Sequence, residues 1–503
     1  MQRKPLAPIL IHVNAAILIG LALYFFLLPV GIVLRDLTDP HIRHPGMPRA
    51  AVRLFEALTP HYSRWARKRL DSDRAARLSS EDVSGTEWPL FGSVFYLWSV
   101  ESLQQAWVQD NSLMPVEPKE YAREAIDAAA RLVIDPNHAS WVRERWGQDY
   151  LHRENVFYRM LVIAALTSHA NLTGSEEHMA LLRDQVESLS AELDGSPHGL
   201  LDDYPGECYP GDVLTAIACI RRADAVLGTD NSDFVRRAIR GFEGTCLDER
   251  GLVPYAAYSR SGEALGPSRG CGNSYVSLFA PEIWPAQAQE WYRLYEKHFW
   301  QRRWTAAGFR EFPGDLEGYD WYMDVDAGPV MVGYGIAACA FGVGAARVNG
   351  RFDHAYPLTA EMLLASWPLP DGTLAVPRFL SNATDAPYLG EAAILLNLTR
   401  MPDAAAAVKE GGTIPWVVRI MLALLAGVGL VPIVAALLGV RRWHRRRAEL
   451  RVARCRLQAV LWGMMLLGAI GCLLLSRFVP GMLLLLAMQF LPRTRRLKSE
   501  TAA

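Results

Sequence analysis

The chain has 503 residues, of which 51% are hydrophobic and 21% charged, and its 52 basic and 53 acidic side chains give a formal net charge of -1. This composition excludes a disordered, collagen-like or small disulfide-stabilised protein and leaves room for a large core. The charges are unevenly distributed, because Glu449 and Glu500 are the only acidic residues outside residues 35–413. The middle of the chain is therefore acidic, which excludes a bulk nucleic-acid binder, since phosphate neutralisation requires a basic surface.

Long apolar segments near both ends indicate membrane-spanning helices. Residues 6–34 carry no charge, and as a helix they are long enough to cross the roughly 30 Å hydrocarbon core of a bilayer. This run is longer than that of a signal peptide and no small-x-small cleavage site follows it, so we predict that residues 1–34 are an uncleaved transmembrane anchor. Residues 414–440 form a second predicted span. Residues 457–491 form a transmembrane hairpin, or one helix followed by a re-entrant segment from residue 478.

Arginine residues determine the predicted orientation. Eight arginines lie in the short loop 441–456, and the tail 492–503 is also basic, so the positive-inside rule places both in the cytoplasm. Four arginines between residues 35 and 53 favour the opposite orientation, but the loop 441–456 holds twice as many arginines in a shorter segment, so we give it more weight. We therefore predict an integral protein of a bacterial inner membrane, in contact with lipid, whose middle domain is non-cytoplasmic. The sequence is compatible with a monomer and with a homo-oligomer.

The middle domain, residues 85–405, has the pattern of repeated helix pairs. Segments 156–170, 213–226 and 329–346 are apolar on nearly every side, which is typical of buried helices. Other segments, such as 121–132 and 176–193, carry a charged face. About six alternations of inner and outer helix predict an all-α fold, an (α/α)6 toroid. Short β-prone stretches at 252–258 and 307–312 are predicted hairpins, and residues 35–84 a linker or amphipathic segment.

In such a toroid the loops that precede the inner helices share one mouth, and here they are rich in acids, tyrosine and glycine. The densest, residues 202–212, holds four carboxylates and the Cys208 thiol. Carboxylates held close together repel, so one keeps its proton near neutrality and can act as a general acid. Helix capping is the alternative interpretation for Asp212 and Asp326, and a favourable helix dipole is the alternative for Glu154.

The predicted site follows from these loops. A second acidic pair, Asp324 and Asp326, comes after the aromatic residues 319–322. We predict acid/base roles for Asp203, Glu207 and Asp324. We predict substrate-binding roles for Glu154, Tyr158, Cys208, Asp212, Tyr255, Tyr258, Asn273, Tyr275, Asp326 and Tyr388. No Cys/His cluster has the spacing of a zinc site, so no metal site is predicted.

Several short segments resemble the linalool dehydratase/isomerase family over residues 140–400. They are Glu-Asn-Val-Phe-Tyr at 154–158 with the apolar helix after it, the stretch 199–230 and the stretch 248–262. The resemblance implies an α/α toroid without a cofactor that hydrates, dehydrates or isomerises a small terpene alcohol by acid/base chemistry. The family's histidine corresponds here to Leu161, and its two cysteines correspond to Asp203 and Asp212.

Three function classes follow. The first is a membrane-anchored, cofactor-independent lyase/isomerase of the hydro-lyase type acting on a lipophilic, isoprenoid-like substrate. The second is a glycoside hydrolase or glycan lyase, because two carboxylates about 5–9.5 Å apart can cleave a sugar bond. The third is a non-catalytic membrane protein that binds a glycan or lipid in the same funnel.

Overall fold

The computed structural model describes residues 6–72, 74–303, 305–381, 384, 386–447, 449–452, 454–474 and 478–496. The protein is mostly helical, which confirms the predicted helical class, and its strands are short. The chain divides into two compact units. One is Val33–Arg419, and the other combines Met1–Ile32 with Ile420–Ala503.

The N-terminal apolar segment is one long helix with a π-helical turn. Helix α1, Leu6–Ala22, passes through the turn Leu23–Leu27 into α2, Leu28–Leu37. The combined helix Leu6–Leu37 is long and apolar enough to cross a membrane. The predicted anchor therefore has helical structure over its whole described length.

The larger unit contains the helical domain. Its helices are α3 Arg49–Leu70, α4 Val83–Gln109, α5 Pro118–Tyr121, α6 Arg123–Ile134, α7 Ser140–Trp146, α8 Val156–Thr173, α9 Met179–Gly195, α10 Pro210–Leu227, α11 Ser232–Ala238, α12 Gly270–Ile283, α13 Pro285–Phe299, α14 Ile336–Val348, α15 Phe352–Ser366, α16 Ala375–Ser381 and α17 Leu389–Thr399. Its strands are β1 Trp300–Arg303 and β2 Ala306–Phe309, which pair antiparallel, and β3 Trp321–Asp324, β4 Gly328–Met331 and β5 Tyr334–Gly335, which form an antiparallel sheet.

The C-terminal part adds two further candidate spans. Its elements are α18 Trp416–Arg446, β6 Leu450–Val452, α19 Cys455–Leu474, α20 Phe478–Met488 and β7 Thr494–Arg496, with β6 and β7 paired antiparallel. Helix α18 and the segment Cys455–Cys472 are long and apolar enough to cross a membrane. Helix α20 has 11 residues and packs along α19. Since a perpendicular span needs about 20 helical residues, α20 alone is too short.

Six helices of the larger unit form a closed series of contacts. Helix α4 packs against α8, α8 against α10, α10 against α12, α12 against α14, α14 against α17, and α17 again against α4. These helices are rich in small and apolar residues, which lets neighbours approach on both sides. Helices α6, α9, α13 and α15 pack outside this series, each against one or two of its members.

Residues 35–84 contribute an amphipathic helix to the same core. The apolar side of α3 is buried and includes Leu54, Phe55, Leu58 and Tyr62, while its basic side is solvent-exposed. The helix packs against α6 and α17. The amphipathic part of the prediction for this region thus corresponds to a packed helix of the domain.

A buried arginine of the helix series, Arg347, forms hydrogen bonds with the start of residues 35–84. The Arg347 side chain is fully buried on α14 and donates from Nη1 to His41 O at 3.0 Å and from Nη2 to Gly46 O at 2.7 Å. Its Nε donates to Arg400 O at 2.8 Å. Burial lowers the pKa of Arg347 to about 10. Three backbone carbonyls therefore depend on this one guanidinium.

The C-terminal ends of the series carry a shared ion-pair network. Arg222 of α10 donates to both carboxylate oxygens of Glu282 on α12, at 2.6 and 2.5 Å, and Arg400 donates to Glu282 at 2.5 Å. Burial opposes ionisation of Glu282, but the two arginines hold its pKa at about 2. Arg222 also lies over the rings of Trp98 and Phe279. Cations at helix C-termini are favoured by the helix dipole.

Two predicted elements differ from the structure. The inner helix expected at 329–346 begins only at Ile336, because Val332 and Gly333 have φ angles of 55° and 86°, which turn β4 into β5. Within the described stretch 252–258, the chain forms only an isolated bridge of Ala257 to Cys208 and Ala264 instead of a hairpin. The hairpin expected at 307–312 corresponds to β1 and β2.

Candidate functional site

The loop 202–212 is a tight turn fixed against the start of α8. The N–H groups of Asp203 and Tyr204 both donate to Glu207 O, at 2.8 and 3.2 Å, around Gly206 with φ of 85°. The N–H of Val156, the first residue of α8, donates to Asp202 O at 3.1 Å. The carboxylate of Glu154 accepts the Asp202 N–H at 2.8 Å. These bonds place Asp203 beside the N-terminal end of α8.

Asp203 is fully buried within this turn. Its Oδ2 accepts the N–H of Tyr209 at 2.6 Å, whereas its Oδ1 is buried without a hydrogen-bond partner among the described residues. Burial, and then the charge of Asp212, raise the pKa of Asp203 well above its ordinary value. Burial of this carboxyl group therefore favours its protonated form more than in an exposed aspartate.

Asp212 is the third residue of α10, whose N-cap position is occupied by Tyr209. The interpretation of Asp212 as the cap is therefore wrong. Burial raises its pKa to about 7, and the charges of Asp326 and Glu87 act in the same direction. The charge of Asp212 is the second cause of the raised pKa of Asp203, so ionisation of Asp212 disfavours ionisation of Asp203.

Glu87 completes this group of acids and was missed in the sequence. It lies in the first turns of α4, only 8% exposed. Burial raises its pKa to about 7, against the opposing effects of a hydrogen bond with Tyr204 and the charge of Arg145. Asp326 and Glu207 raise it further. We call Glu87, Asp203 and Asp212 the acid cluster.

Asp326 and Glu207 border the acid cluster through tyrosines. The hydroxyl of Tyr255 donates to Asp326 Oδ2, and the hydroxyl of Tyr209 donates to Glu207 Oε2 at 2.9 Å. The two tyrosine rings lie edge to face, 5.4 Å apart. Asp326 precedes β4 and not a helix, so the interpretation of Asp326 as a helix cap is wrong.

A second polar cluster surrounds the start of α12. Arg269 Nε and the Cys271 thiol donate to Glu311 Oε1 at 2.8 and 3.0 Å, and the Cys271 N–H donates to Oε2 at 3.2 Å. Arg269 also pairs with Asp324 at 2.8 Å and lies over the Tyr255 ring. Burial raises the pKa of Glu311, although Arg269 opposes this shift. The guanidinium of Arg269 therefore compensates the carboxylates of Glu311 and Asp324.

Aromatic rings pack together around the acid cluster. The ring of Phe157 lies 6.3 Å from Tyr204 and 5.7 Å from Phe91, and Phe91 lies 6.0 Å from Tyr275. Tyr275 in turn contacts Phe341 at 5.5 Å. Burial, with Asp212 as the second cause, raises the pKa of Tyr275 well above its ordinary value. Four of these rings come from four helices of the closed series and Tyr204 from the loop 202–212, and together they give the acids an apolar surrounding.

The other predicted residues have mainly structural contacts. The Tyr158 hydroxyl is buried and donates to Val133 O at 2.9 Å. The Asn273 amide donates to Val253 O and Arg269 O, each at 3.0 Å. Tyr258 is 51% exposed. The thiol of Cys208 is buried, which raises its pKa well above the usual value. Tyr388 is the N-cap of α17, with Arg378 over its ring.

Among the described residues, no group of three or more His, Cys, Asp or Glu side chains is arranged to hold a metal ion. One cavity of about 290 Å³ adjoins Lys119 and Gly174, and one of about 190 Å³ adjoins Tyr292 and Arg351. Both lie apart from the acid cluster.

Known proteins do not identify the family of this chain. No protein-family model matches the sequence, and no curated protein matches it. The resemblance to linalool dehydratase/isomerases stays a prediction that rests on short segments. Any function must therefore be inferred from the acid cluster and its surroundings.

Proposed function

We propose that the closed series of helices is an (α/α)6 toroid and that the acid cluster lies at its mouth. The closed contacts from α4 through α17 and back to α4 support this arrangement. Glu87, Asp212 and Cys271 all lie in the first two turns of α4, α10 and α12. In a ring of parallel inner helices, such positions meet at one end.

We infer that this mouth belongs to a linalool dehydratase/isomerase-like hydro-lyase that needs no cofactor. The observation that carries the inference is a group of three carboxyls, of which Glu87 and Asp203 are buried and Asp212 is half-buried, and the pKa values of Glu87 and Asp212 are raised to about 7. At neutral pH such a group holds both a protonated acid and an ionised base. General acid/base catalysis works best when the pKa lies near the working pH.

The reaction uses these two forms in turn. The protonated carboxyl gives its proton to the hydroxyl group of an allylic alcohol, the C–O bond breaks, and water leaves. In dehydration, the ionised carboxylate then removes a proton from a carbon next to the allylic cation, and a C=C bond forms. In isomerisation, water instead adds to the other end of the allylic cation, and the carboxylate takes the extra proton of that water, which gives the isomeric alcohol. The protons lost and gained balance within the cluster, so no oxidant or reductant is needed.

The surroundings suit a lipophilic substrate. The rings of Phe91, Phe157 and Tyr275 give an apolar wall, and aromatic faces stabilise a developing carbocation by cation–π attraction. We assign Asp203 as the principal acid, with Asp212 and Glu87 as its partners. Glu207 is exposed and Asp324 is paired with Arg269, so we place them at the periphery.

The experiment uses the full chain in lipid nanodiscs with a panel of acyclic terpene alcohols in oxygen-18-labelled water. Product formation and label in the isomeric alcohol are measured by gas chromatography and mass spectrometry. We expect Asp203→Asn, Asp212→Asn and Glu87→Gln to abolish turnover while the circular dichroism spectrum is kept. Glu361→Gln is the matched control, because the pKa of Glu361 is also raised to about 7 by burial, but it lies on the outer helix α15.

Two results would contradict this function. Retained turnover in a folded Asp203→Asn protein would remove Asp203 from the mechanism. Equal losses in Glu361→Gln and in the cluster variants would show that any buried acid matters for stability only.

Exposed aromatics favour a second candidate, a glycoside hydrolase or glycan lyase. Trp321 is 71% exposed, and Tyr319 and Tyr322 are also exposed on the segment that leads to Asp324. Aromatic faces at the rim of an acidic site commonly bind sugar rings. Release of reducing ends from polysaccharides, lost in Asp324→Asn but not in Asp203→Asn, would favour this function. Binding without cleavage would instead indicate a glycan- or lipid-binding protein.

We further propose that the protein is an integral protein of a bacterial inner membrane with the helical domain on the non-cytoplasmic side. The three candidate spans support membrane association, and the eight arginines of residues 441–456 support the orientation. Alkaline phosphatase fused after residue 405 should be active, and the same enzyme fused after residue 447 should be inactive. The reverse pattern would overturn the orientation.

A further inference from the structure

The hairpin of β3 and β4 presents an apolar face to the outside. Trp321, Met323 and Val325 alternate along the chain and are 71%, 76% and 61% exposed. Trp321 pairs with Met331, which is 50% exposed, and Met323 pairs with the exposed Pro329. Because alternate residues of a strand share a face, these five side chains form one surface without a charge. We call it the apolar hairpin face.

The opposite face of the same hairpin is fixed to the domain. Tyr322 packs edge to face on Phe312 at 5.1 Å, and Asp324 pairs with Arg269 at 2.8 Å. Val330 is buried at 2% exposure. The hairpin is therefore held in place from the inside, and the exposure of its outer face is a fixed property of the fold.

The hairpin is also connected to the start of the membrane-spanning helix α18. The N–H of Val417, the second residue of α18, donates to Thr305 O at 3.1 Å in the turn between β1 and β2. The Tyr334 hydroxyl on β5 accepts the Arg303 N–H at 3.1 Å and donates to Ala306 O at 3.0 Å. Since β5 pairs with β4, backbone pairing and hydrogen bonds connect the first turn of α18 to the hairpin.

We infer that the apolar hairpin face inserts into the surface of the bilayer in which this chain is anchored. A solvent-exposed surface of this kind is unusual in a soluble domain, and it contains a tryptophan, which favours the membrane interface. Arg302 and Arg303 are exposed at the end of strand β1. Arg303 pairs with Asp320 at 3.2 Å, and Arg302 can attract anionic headgroups. Trp416 at the start of α18 is 61% exposed, as expected at an interface.

The connection to α18 is the reason for assigning lipid as the partner of the apolar hairpin face. A membrane-spanning helix has its first turn at the headgroup level, so elements bonded to that turn lie close to the same level. Interfacial segments insert roughly 5–10 Å into the boundary of headgroups and acyl chains. The inference is independent of the proposed reaction, since lipid contact can be measured without turnover.

Photo-crosslinking of the full chain tests this inference. The protein is placed in nanodiscs of phosphatidylcholine and phosphatidylglycerol that contain a diazirine-labelled phospholipid, irradiated, digested with trypsin and analysed by mass spectrometry. Residues 311–347 form one tryptic peptide, because no lysine or arginine lies between Arg310 and Arg347. We expect lipid adducts on Trp321, Met323 or Met331, in addition to adducts on α18.

Matched variants give the decisive comparison. Met323→Glu should lose the adducts of peptide 311–347, because a charged side chain disfavours insertion, and its high exposure means that the fold is kept. Val108→Glu is the control, since Val108 is 71% exposed at the end of α4, and this variant should keep the hairpin adducts. Adducts on α18 without any on peptide 311–347 would overturn the inference. Crosslinks between two chains through the hairpin, without lipid adducts, would also overturn it, because a second copy would then cover this face.

Discussion

Replacing Glu87 with glutamine should stabilise the protein above pH 7 and leave its stability at low pH nearly unchanged. Burial raises the pKa of Glu87 in the folded protein from 4.5 to about 7. Below pH 4.5 the carboxyl is protonated in both the folded and the unfolded chain, so its ionisation does not affect folding. As the pH rises from 4.5 to about 7, the unfolded chain loses this proton whereas the buried carboxyl of the folded chain keeps it. Stability is therefore lost over this interval.

The size of the effect follows from the shift in pKa. A rise from 4.5 to about 7 corresponds to roughly 3 kcal/mol, and glutamine removes this penalty because it stays neutral. The free energy of unfolding of Glu87→Gln should exceed that of the wild type by up to this amount at pH 8.5. Denaturant unfolding followed by tryptophan fluorescence in detergent, at pH 4.5 and pH 8.5, measures it.

An exposed glutamate in the same region provides the control. Glu81→Gln changes an exposed side chain six residues earlier and should have no such pH-dependent effect. If the difference between Glu87→Gln and the wild type is the same at both pH values, or if the variant is less stable at pH 8.5, the reasoning about a buried, protonated Glu87 is refuted.

Three further outcomes are expected. Gly270→Ala should destabilise the protein by about 3 kcal/mol or more, because a Cβ there would lie 1.9 Å from a backbone carbonyl oxygen. Thermal unfolding measures this loss, and an unchanged midpoint would contradict the close approach. Arg347→Met should lower the free energy of unfolding by about 3 kcal/mol, because three carbonyl acceptors lose their donor. An equally stable variant would show that water replaces the guanidinium. Turnover should be greatest near pH 7 and fall on either side, because one carboxyl of the acid cluster must be protonated while another is ionised. A pH–rate profile that is flat from pH 6 to 9 would exclude these paired roles.

The helical class and the spans could be predicted from local patterns. Residues 6–34 and 414–440 have the length and composition that a bilayer requires, and α8 is apolar on nearly every side. The segment 329–346 was misassigned because its apolar residues fit a helix and a buried strand alike. The positive φ angles at Val332 and Gly333, which divide it into β4, β5 and α14, are a backbone property with a weak sequence signal.

The candidate site was only partly predictable. Asp203 and Asp212 are nine residues apart in one acidic loop, so local density identified them. Glu87 lies more than a hundred residues earlier and joins them only because α4 packs against α8. Its one local signal was a glutamate at the start of an apolar helix, which the sequence offers at many positions. Likewise, only packing brings Glu311 to Cys271.

The network of Arg222, Glu282 and Arg400 at the far ends of the helices has a kinetic consequence. These side chains, with Trp98 and Phe279, occupy the end of the proposed toroid that is opposite the acids. In the proposed toroid, this packing leaves the end that carries the acid cluster as the accessible one. Under the proposed function, substrate would enter and product would leave by that same end, so slow departure of the product would limit turnover.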